Sequence, residues 1–130
     1  MMIAEVMKNN SDLYVRVAAV KALDEIKPSS EKVQIMIADI LKNDPDNDLR
    51  SDAAWALRGV EPSSEKFLLM IADAMKNDPY VGVRGSAARA LGEIKPSSKI
   101  IQMMIADVMK NDPDESVRGS AKEAYEKMTH

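Results

Sequence analysis

The sequence predicts an all-α fold in which antiparallel helix pairs stack into a solenoid, and three observations support this prediction. The segment DPYVGVRGSAARALGEIKPSS, which begins at Asp78, recurs as DPDNDLRSDAAWALRGVEPSS from Asp44 and as DPDESVRGSAKEAYEKM from Asp112. The recurrence keeps a period of 34 residues without insertion, as in the series Arg16, Arg50, Arg84 and Arg118. No segment alternates β-branched and polar residues, so no strand is expected. Such regular periods are typical of stacked helical repeats.

The first helix of each unit is represented by SSEKVQIMIADILKN, residues 29–43. Ser29 or Ser30 is expected to cap its N-terminus, because serine side chains accept hydrogen bonds from the free N–H groups there. Apolar residues follow helical spacing, and Ile35 and Ala38 widen the apolar stripe, so we expect burial on more than one side. The aspartate–lysine pair Asp39 and Lys42 is expected to form a weak surface interaction.

The second helix opens with Asp-Pro in three of the four units. Asp44, Asp78 and Asp112 are expected to be N-caps, with proline at the first helical position, where its missing N–H costs nothing. The helix is expected to close before Pro62 or Pro96, because the residue before a proline avoids the α region. The short connection between the two helices makes them antiparallel.

The second helix of the second repeat has an apolar and a polar face at helical spacing. The apolar face carries Leu49, Ala53, Ala56, Leu57 and Val60, with Ala54 on its flank. The polar face carries Asp48, Ser51, Asp52, Trp55, Arg58 and Gly59. Between repeats the apolar positions stay mostly aliphatic, whereas the Trp55 position becomes Lys21, Arg89 or Glu123. Stacking therefore requires the first face and leaves the second as a free surface.

The recurring pattern Asp-Pro-x-x-x-(Val/Leu)-Arg-x-x-Ala resembles HEAT-like repeats of the phycobilisome-lyase-type kind, over essentially the whole chain. The Trp, Leu-Gly and Tyr signature of a tetratricopeptide first helix is absent. The resemblance implies a right-handed α-solenoid of about four two-helix repeats with a 34-residue period, at approximately 1–28, 29–62, 63–96 and 97–130, the first truncated. It also implies an Asp–Arg ladder between repeats, from the pairs Asp44/Arg50, Asp78/Arg84 and Asp112/Arg118. Asn10 replaces the aspartate in the first repeat. The second helices would line the concave face.

Trp55, the only tryptophan, is the leading candidate for partner binding, because exposed tryptophans are frequent binding hot spots. The alternative is that Trp55 lies flat over the next repeat above Gly85. Lys21, Arg58 and Arg89 are expected around it, and a mixed-charge groove beside an aromatic ring suits an acidic and apolar peptide. The alternative for these charged residues is a solvated surface that binds no partner. The other candidate binding residues are Asp48, Ser51, Asp52 and Ser86.

Composition excludes several classes of function. The net charge of −3 argues against nucleic acid, whose phosphates require a surplus of cations. The chain has no cysteine, and its only histidine is His130, so no metal site, cofactor or catalytic residue is expected. No apolar run approaches a membrane span, and the start lacks a signal peptide's pattern. A cytoplasmic protein is expected.

The function favoured is a non-enzymatic scaffold that binds a peptide or protein segment along the second helices. Two alternatives stay open: a subunit or regulatory domain of a lyase-like enzyme, and a fragment of a longer array. The first unit lacks the Pro-Ser-Ser-Glu-Lys portion, so its N-terminal edge is expected either to continue a longer array or to self-associate. Lys122 replaces the alanine of other repeats, which predicts a polar cap at the other end.

Overall fold

The structure is a computed structural model that describes residues 16–18, 20 and 31–129 of the chain. Residues 16–18 and 20 are helical. Helices follow at α1 (Glu31–Asn43), α2 (Asn47–Ala56), α3 (Glu65–Asn77), α4 (Val81–Ile94), α5 (Lys99–Asn111) and α6 (Glu115–Thr129), and a 3-10 turn, Leu57–Gly59, extends α2. The described residues contain no strand, so the all-α prediction is confirmed. The expectations for Lys21, Ser29, Ser30 and the N-terminal edge lie outside these residues.

The helices form two layers of a solenoid. The first layer consists of α1, α3 and α5, each in contact with the next, and the second layer consists of α2, α4 and α6, which also contact one another in order. Each first-layer helix packs against the second-layer helix that follows it in the chain. This arrangement is the stack of antiparallel helix pairs that the 34-residue period predicts.

The core lies between the two layers and agrees with the predicted apolar face of the second helix. Its predicted members are all buried, namely Leu49, Ala53, Ala56, Leu57 and Val60. Ala54, placed on the flank of that face, is buried as well, and so is its equivalent Ala88. Small side chains at these positions let adjacent second-layer helices approach closely. Lys122 takes this position in α6 and is exposed, as predicted.

The first helix is buried less widely than its sequence predicts. Ala38 is buried, but Ile35 remains 44% exposed, so the expectation for Ile35 is wrong. A first-layer helix meets its partner in the second layer and its neighbours within its own layer. These contacts leave an outer side, and Ile35 lies there. The helical spacing identified Ile35 as part of an apolar stripe, but spacing alone cannot show whether another helix covers that stripe.

The second helices begin later than the Asp-Pro pattern predicts. Asp46, not Asp44, caps α2, and its side chain accepts a hydrogen bond from the Leu49 amide at 2.9 Å. In α4 the N-cap is Tyr80, which provides no side-chain cap. The prediction that Asp44, Asp78 and Asp112 are caps, with proline at the first helical position, is therefore wrong. These aspartates instead accept a bond from the amide two residues on, and so fold the Asp-Pro turn.

The same aspartates form the ladder between repeats, but with different arginines from those expected. Arg50 donates to Asp78 of the next repeat at 3.0 Å, and Arg84 donates likewise to Asp112 at 2.9 Å. Arg16 reaches Asp44 at 3.3 Å, so the ladder extends into the first repeat. The side-chain pairs within a repeat that were predicted, Asp44/Arg50, Asp78/Arg84 and Asp112/Arg118, are wrong. There each arginine donates to the aspartate's backbone carbonyl, at 2.8, 3.0 and 2.7 Å.

Candidate functional site

Trp55 lies on α2 in the second layer, with its side chain half-buried against the core. The guanidinium carbon of Arg58 is 4.4 Å from the centre of the indole ring, and that of Arg89 on α4 is 5.3 Å away. Both distances are within the range of cation–π attraction. The expectation that these two arginines surround Trp55 is thus met by direct stacking.

A cavity of about 180 Å³ opens beside the indole, between α4 and α6. It is lined by Trp55, Arg89, Gly92, Glu93, Ser120, Glu123, Ala124 and Lys127. Two small residues, Gly92 of α4 and Ala124 of α6, lie against each other and form part of the cavity wall. A β-carbon on Gly92 would be 3.0 Å from the Ala124 α-carbon, which is tighter than most β-carbon contacts in proteins. Gly92 therefore permits the close approach of α4 and α6.

Gly85, which was expected beneath Trp55, and Gly92 have different roles. Gly92 is required by the helix contact with Ala124, so neither the indole nor a ligand is needed to account for it. A β-carbon on Gly85 would have no atom within 4 Å, so Gly85 faces open space rather than a covering ring. The structure thus places Trp55 beside Gly92 in the cavity wall, while a side chain on Gly85 would meet nothing within 4 Å.

The charged groups around Trp55 and the cavity differ in how many hydrogen bonds and ion pairs they form. Arg58 donates to the Trp55 carbonyl at 2.9 Å, which fixes its stacked position. Lys127 pairs with Glu93 at 2.9 Å, and this hydrogen bond lowers the pKa of Glu93. Arg89 is exposed, and its contact with the indole is its only interaction of these kinds with any residue that the structure describes. Its guanidinium N–H donors are therefore open to a partner.

Two predicted binding residues hold the stack together instead. The hydroxyls of Ser51 on α2 and Ser86 on α4 lie 2.6 Å apart, and Ser51 also donates to the Gly82 carbonyl at 3.3 Å. Asp48 is exposed in the first turn of α2, and Asp52 is half-buried. Neither aspartate lines the cavity. Lys21 lies outside the described residues.

Sequence reasoning missed the far wall of the cavity, which α6 provides. Glu123 occupies the repeat position of Trp55 and Arg89, so the same series that located Trp55 contained the signal. Lys127 follows Glu93 by one period of 34 residues, and the two pair across adjacent repeats. The predicted surface included residues of α2 and α4, whereas the cavity also needs residues of α6.

Residues 31–129, together with 16–18 and 20, contain no group of acidic or histidine side chains that could hold a metal ion. None of the described helices is both long and apolar enough to cross a bilayer.

Comparison with known proteins identifies the chain as a helical repeat protein. It is similar to a designed armadillo repeat protein solved in complex with peptide (KR)4, with a TM-score of 0.65 and 14% sequence identity. The match covers 97% of this chain, which spans 62% of the length of the designed one. This likeness shows the fold alone. No curated protein sequence matches. A family model described as "Vitellogenin TPR domain" matches residues 2–86, which is more than half of the chain. The chain therefore belongs to the Vitellogenin TPR domain family.

Proposed function

We propose that the protein is a non-enzymatic scaffold whose second layer binds a segment of another protein beside Trp55. The observation that carries the proposal is the state of Arg89. Its guanidinium stacks on the indole, while its N–H donors meet no acceptor among the described residues. An arginine held in this way is positioned for a partner's carboxylate, which accepts two parallel hydrogen bonds from a guanidinium.

The cavity provides the second element of recognition. Its volume of about 180 Å³ accommodates an apolar side chain next to the indole, while Arg89 lies at its rim. The segment that fits carries an apolar residue with a carboxylate close to it. Tryptophan and arginine are the residue types that most often dominate binding energy at interfaces. In the HEAT-like arrangement that we propose for this chain, the second layer lines the concave face.

The cations beside Trp55 favour a partner of different charge from the peptide described with the structural neighbour. The designed armadillo protein is described with a basic peptide, (KR)4. Here the groups stacked on the aromatic ring are themselves cations, Arg58 and Arg89. Like charges would repel a basic segment, so the proposed partner has the opposite sign.

The Asp–Arg ladder supports the finer proposal that the repeats are HEAT-like. A ladder between repeats is what the resemblance implied. Arg16–Asp44, Arg50–Asp78 and Arg84–Asp112 repeat the same connection three times. Two-layered stacks built in this way present long rows of side chains rather than a single deep site, which is typical of binding proteins.

Titration of Trp55 fluorescence tests the proposed function. The probe is a synthetic peptide that alternates glutamate and leucine, and the (KR)4 peptide is its counterpart of opposite charge. We expect the acidic peptide to change the emission and to bind less tightly as salt is raised. Trp55→Ala, followed by calorimetry, should weaken binding by about 2 kcal/mol, or roughly thirtyfold.

Charge-reversal variants distinguish binding at Arg89 from a general electrostatic attraction to the protein. Arg89→Glu should abolish binding of the acidic peptide, whereas Lys110→Glu makes the same charge change on the first layer and should leave it nearly unaffected. Equal losses in both variants would contradict the proposal, as would tighter binding of (KR)4 than of the acidic peptide.

A further inference from the structure

The cavity beside Trp55 carries two charges that no described residue neutralises, and they have opposite signs. The guanidinium of Arg89 on α4 meets no acceptor among residues 16–18, 20 and 31–129. Glu123 on α6 is exposed and forms no hydrogen bond or ion pair with any of these residues. Both side chains line the cavity, so the site has a cationic side and an anionic side.

The remaining charged residues that line the cavity neutralise each other. Lys127 Nζ lies 2.9 Å from Glu93 Oε1, and this ion pair connects α6 to α4. Arg58 stacks on the indole but is not part of the cavity lining. The charges that the cavity offers to a partner are therefore one cation, Arg89, and one anion, Glu123.

The repeat pattern places two cations close to Glu123, and the structure engages both elsewhere. Lys127 follows Glu123 by four residues, a spacing at which glutamate and lysine attract each other on a helix, but Lys127 pairs with Glu93 instead. Arg89 occupies the repeat position of Glu123 on the neighbouring helix, but its guanidinium stacks on Trp55 of α2. Because α4 lies between α2 and α6 in the layer, this stacking turns Arg89 away from α6. The fold therefore keeps the two opposite charges of the cavity apart.

Ser120 adds a second acceptor on the side of the cavity that α6 provides. It precedes Glu123 by three residues, so the two side chains lie on one face of the helix, and both line the cavity. The Ser120 hydroxyl has no hydrogen-bond partner in the part of the chain that the structure describes. A carboxylate and a hydroxyl oxygen both accept hydrogen bonds, as the three N–H donors of a lysine ammonium group require. The wall on α6 is therefore suited to a cationic side chain.

The distance between the two charged sides sets the spacing of a matching segment. Adjacent packed helices lie about 8–10 Å apart, and Arg89 leans from α4 toward α2, which lengthens the span to Glu123. An extended segment advances about 3.3 Å per residue, and its alternate side chains face the same side. Charges placed two residues before and two residues after an apolar anchor are therefore about 13 Å apart along the backbone. Such a segment can reach Arg89 and Glu123 with its anchor in the cavity.

We propose that the cavity beside Trp55 selects a segment whose apolar anchor stands between an acidic residue, bound by Arg89, and a basic residue, bound by Glu123 and Ser120. The inference rests on the proposed function, because it concerns the same cavity, and it specifies the partner further. A segment with acidic residues on both sides of the anchor places one carboxylate against Glu123. A segment with basic residues on both sides places one cation against Arg89. Both arrangements bring like charges together, so the mixed segment is preferred.

Titration of the full chain with four synthetic peptides, followed by Trp55 fluorescence, tests this selectivity. The peptides have blocked termini and share a central leucine. Two residues before and two residues after it they carry glutamate and lysine, lysine and glutamate, two glutamates, or two lysines. The two mixed peptides cover both chain directions. We expect one mixed peptide to bind roughly fivefold more tightly than the acidic peptide, as one favourable surface ion pair allows, and more tightly than the basic peptide.

Two variants of α6 assign the selectivity to Glu123. Glu123→Gln should weaken the mixed peptide and strengthen the acidic one, so that the preference disappears. Glu126→Gln removes the same charge from the same helix outside the cavity and should change neither affinity. The inference is overturned if the acidic peptide binds the wild type as tightly as both mixed peptides, or if the preference survives Glu123→Gln. Binding of the acidic peptide that Arg89→Glu abolishes would then still support the proposed function, whereas no binding of acidic or mixed peptides would overturn both.

Discussion

Arg50 connects two repeats through one side chain. Its Nε donates to Asp78 Oδ2 at 3.0 Å and its Nη2 to Asp78 Oδ1 at 3.2 Å, while Nη1 donates to the Asp44 carbonyl of its own repeat at 2.8 Å. The side chains of Arg50 and Asp78 are only 9% and 8% exposed. The hydrogen bond that Arg50 donates to the Asp78 carboxylate raises the pKa of Arg50, so the guanidinium stays charged. The connection combines charge with fixed geometry. It recurs with Arg84 at the next boundary, and Arg16 and Asp44 repeat its ion pair at the first.

The ladder should therefore couple residues of adjacent repeats rather than residues of one repeat. In a double-mutant cycle measured by urea unfolding, Arg84→Ala and Asp112→Ala should show a coupling of about 2 kcal/mol, as expected for a charged, nearly buried pair. The cycle of Asp78→Ala with Arg84→Ala should show much less, since Arg84 contacts only the backbone carbonyl of Asp78. Stronger coupling in the second cycle would contradict the ladder.

Buried and exposed leucines should differ sharply in their contribution to stability. Leu57 and Leu91 are buried in the core, at 1% and 0% exposure, so replacement by alanine should destabilise the fold by about 2–5 kcal/mol. Leu69→Ala removes the same atoms from an outer position and should cost under about 1 kcal/mol. Thermal unfolding of the three variants measures this difference. An unchanged melting temperature in Leu57→Ala would refute the assigned core.

Two glycines of α4 should respond in opposite ways to alanine. Gly85→Ala adds a methyl group in open space and should stabilise the helix by about 0.5–1 kcal/mol. Gly92→Ala would place its methyl group 3.0 Å from the Ala124 backbone and should destabilise the contact between α4 and α6. Chemical denaturation of both variants compares them in one helix. Stabilisation by Gly92→Ala would show that α4 and α6 are not so close.

The ion pair of Glu93 with Lys127 should stabilise the fold at neutral pH and lose this effect in acid. The hydrogen bond from Lys127 lowers the pKa of Glu93, so the unfolded chain binds this proton more tightly than the folded one. The stabilisation is complete above the ordinary glutamate pKa of about 4.3 and is lost as the pH falls through the lower folded value.

Melting temperatures of Glu93→Gln and wild type across pH measure this contribution. Wild type should be slightly more stable at neutral pH, and the difference should disappear in acid. Glu126→Gln serves as the control, because Glu126 is exposed and forms no ion pair with the described residues. A difference that grows as the pH falls would have the wrong sign.

The sequence by itself determined the architecture. A period of 34 residues without insertion implied stacked helix pairs, and helical spacing within each unit separated the core face from the free face. The buried set from Leu49 to Val60 agrees with this separation. Spacing succeeds here because residues on one face of a helix are set by the geometry of that helix alone. Trp55, Arg58 and Arg89 were placed together for the same reason, extended over one repeat.

Only the tertiary structure decided which groups meet across repeats. In the sequence Asp78 precedes Arg84 by 6 residues and follows Arg50 by 28, yet stacking geometry assigns its carboxylate to Arg50. Tertiary contacts also bear on the helix cap. The carboxylate of Asp44 accepts from the Asp46 amide and pairs with Arg16, and Asp46 caps α2 in its place. The exposure of Ile35 depends on what lies opposite its side chain. Spacing along the chain determines on which face of its helix a residue lies. The relative placement of two helices decides whether that face is covered, paired or left open.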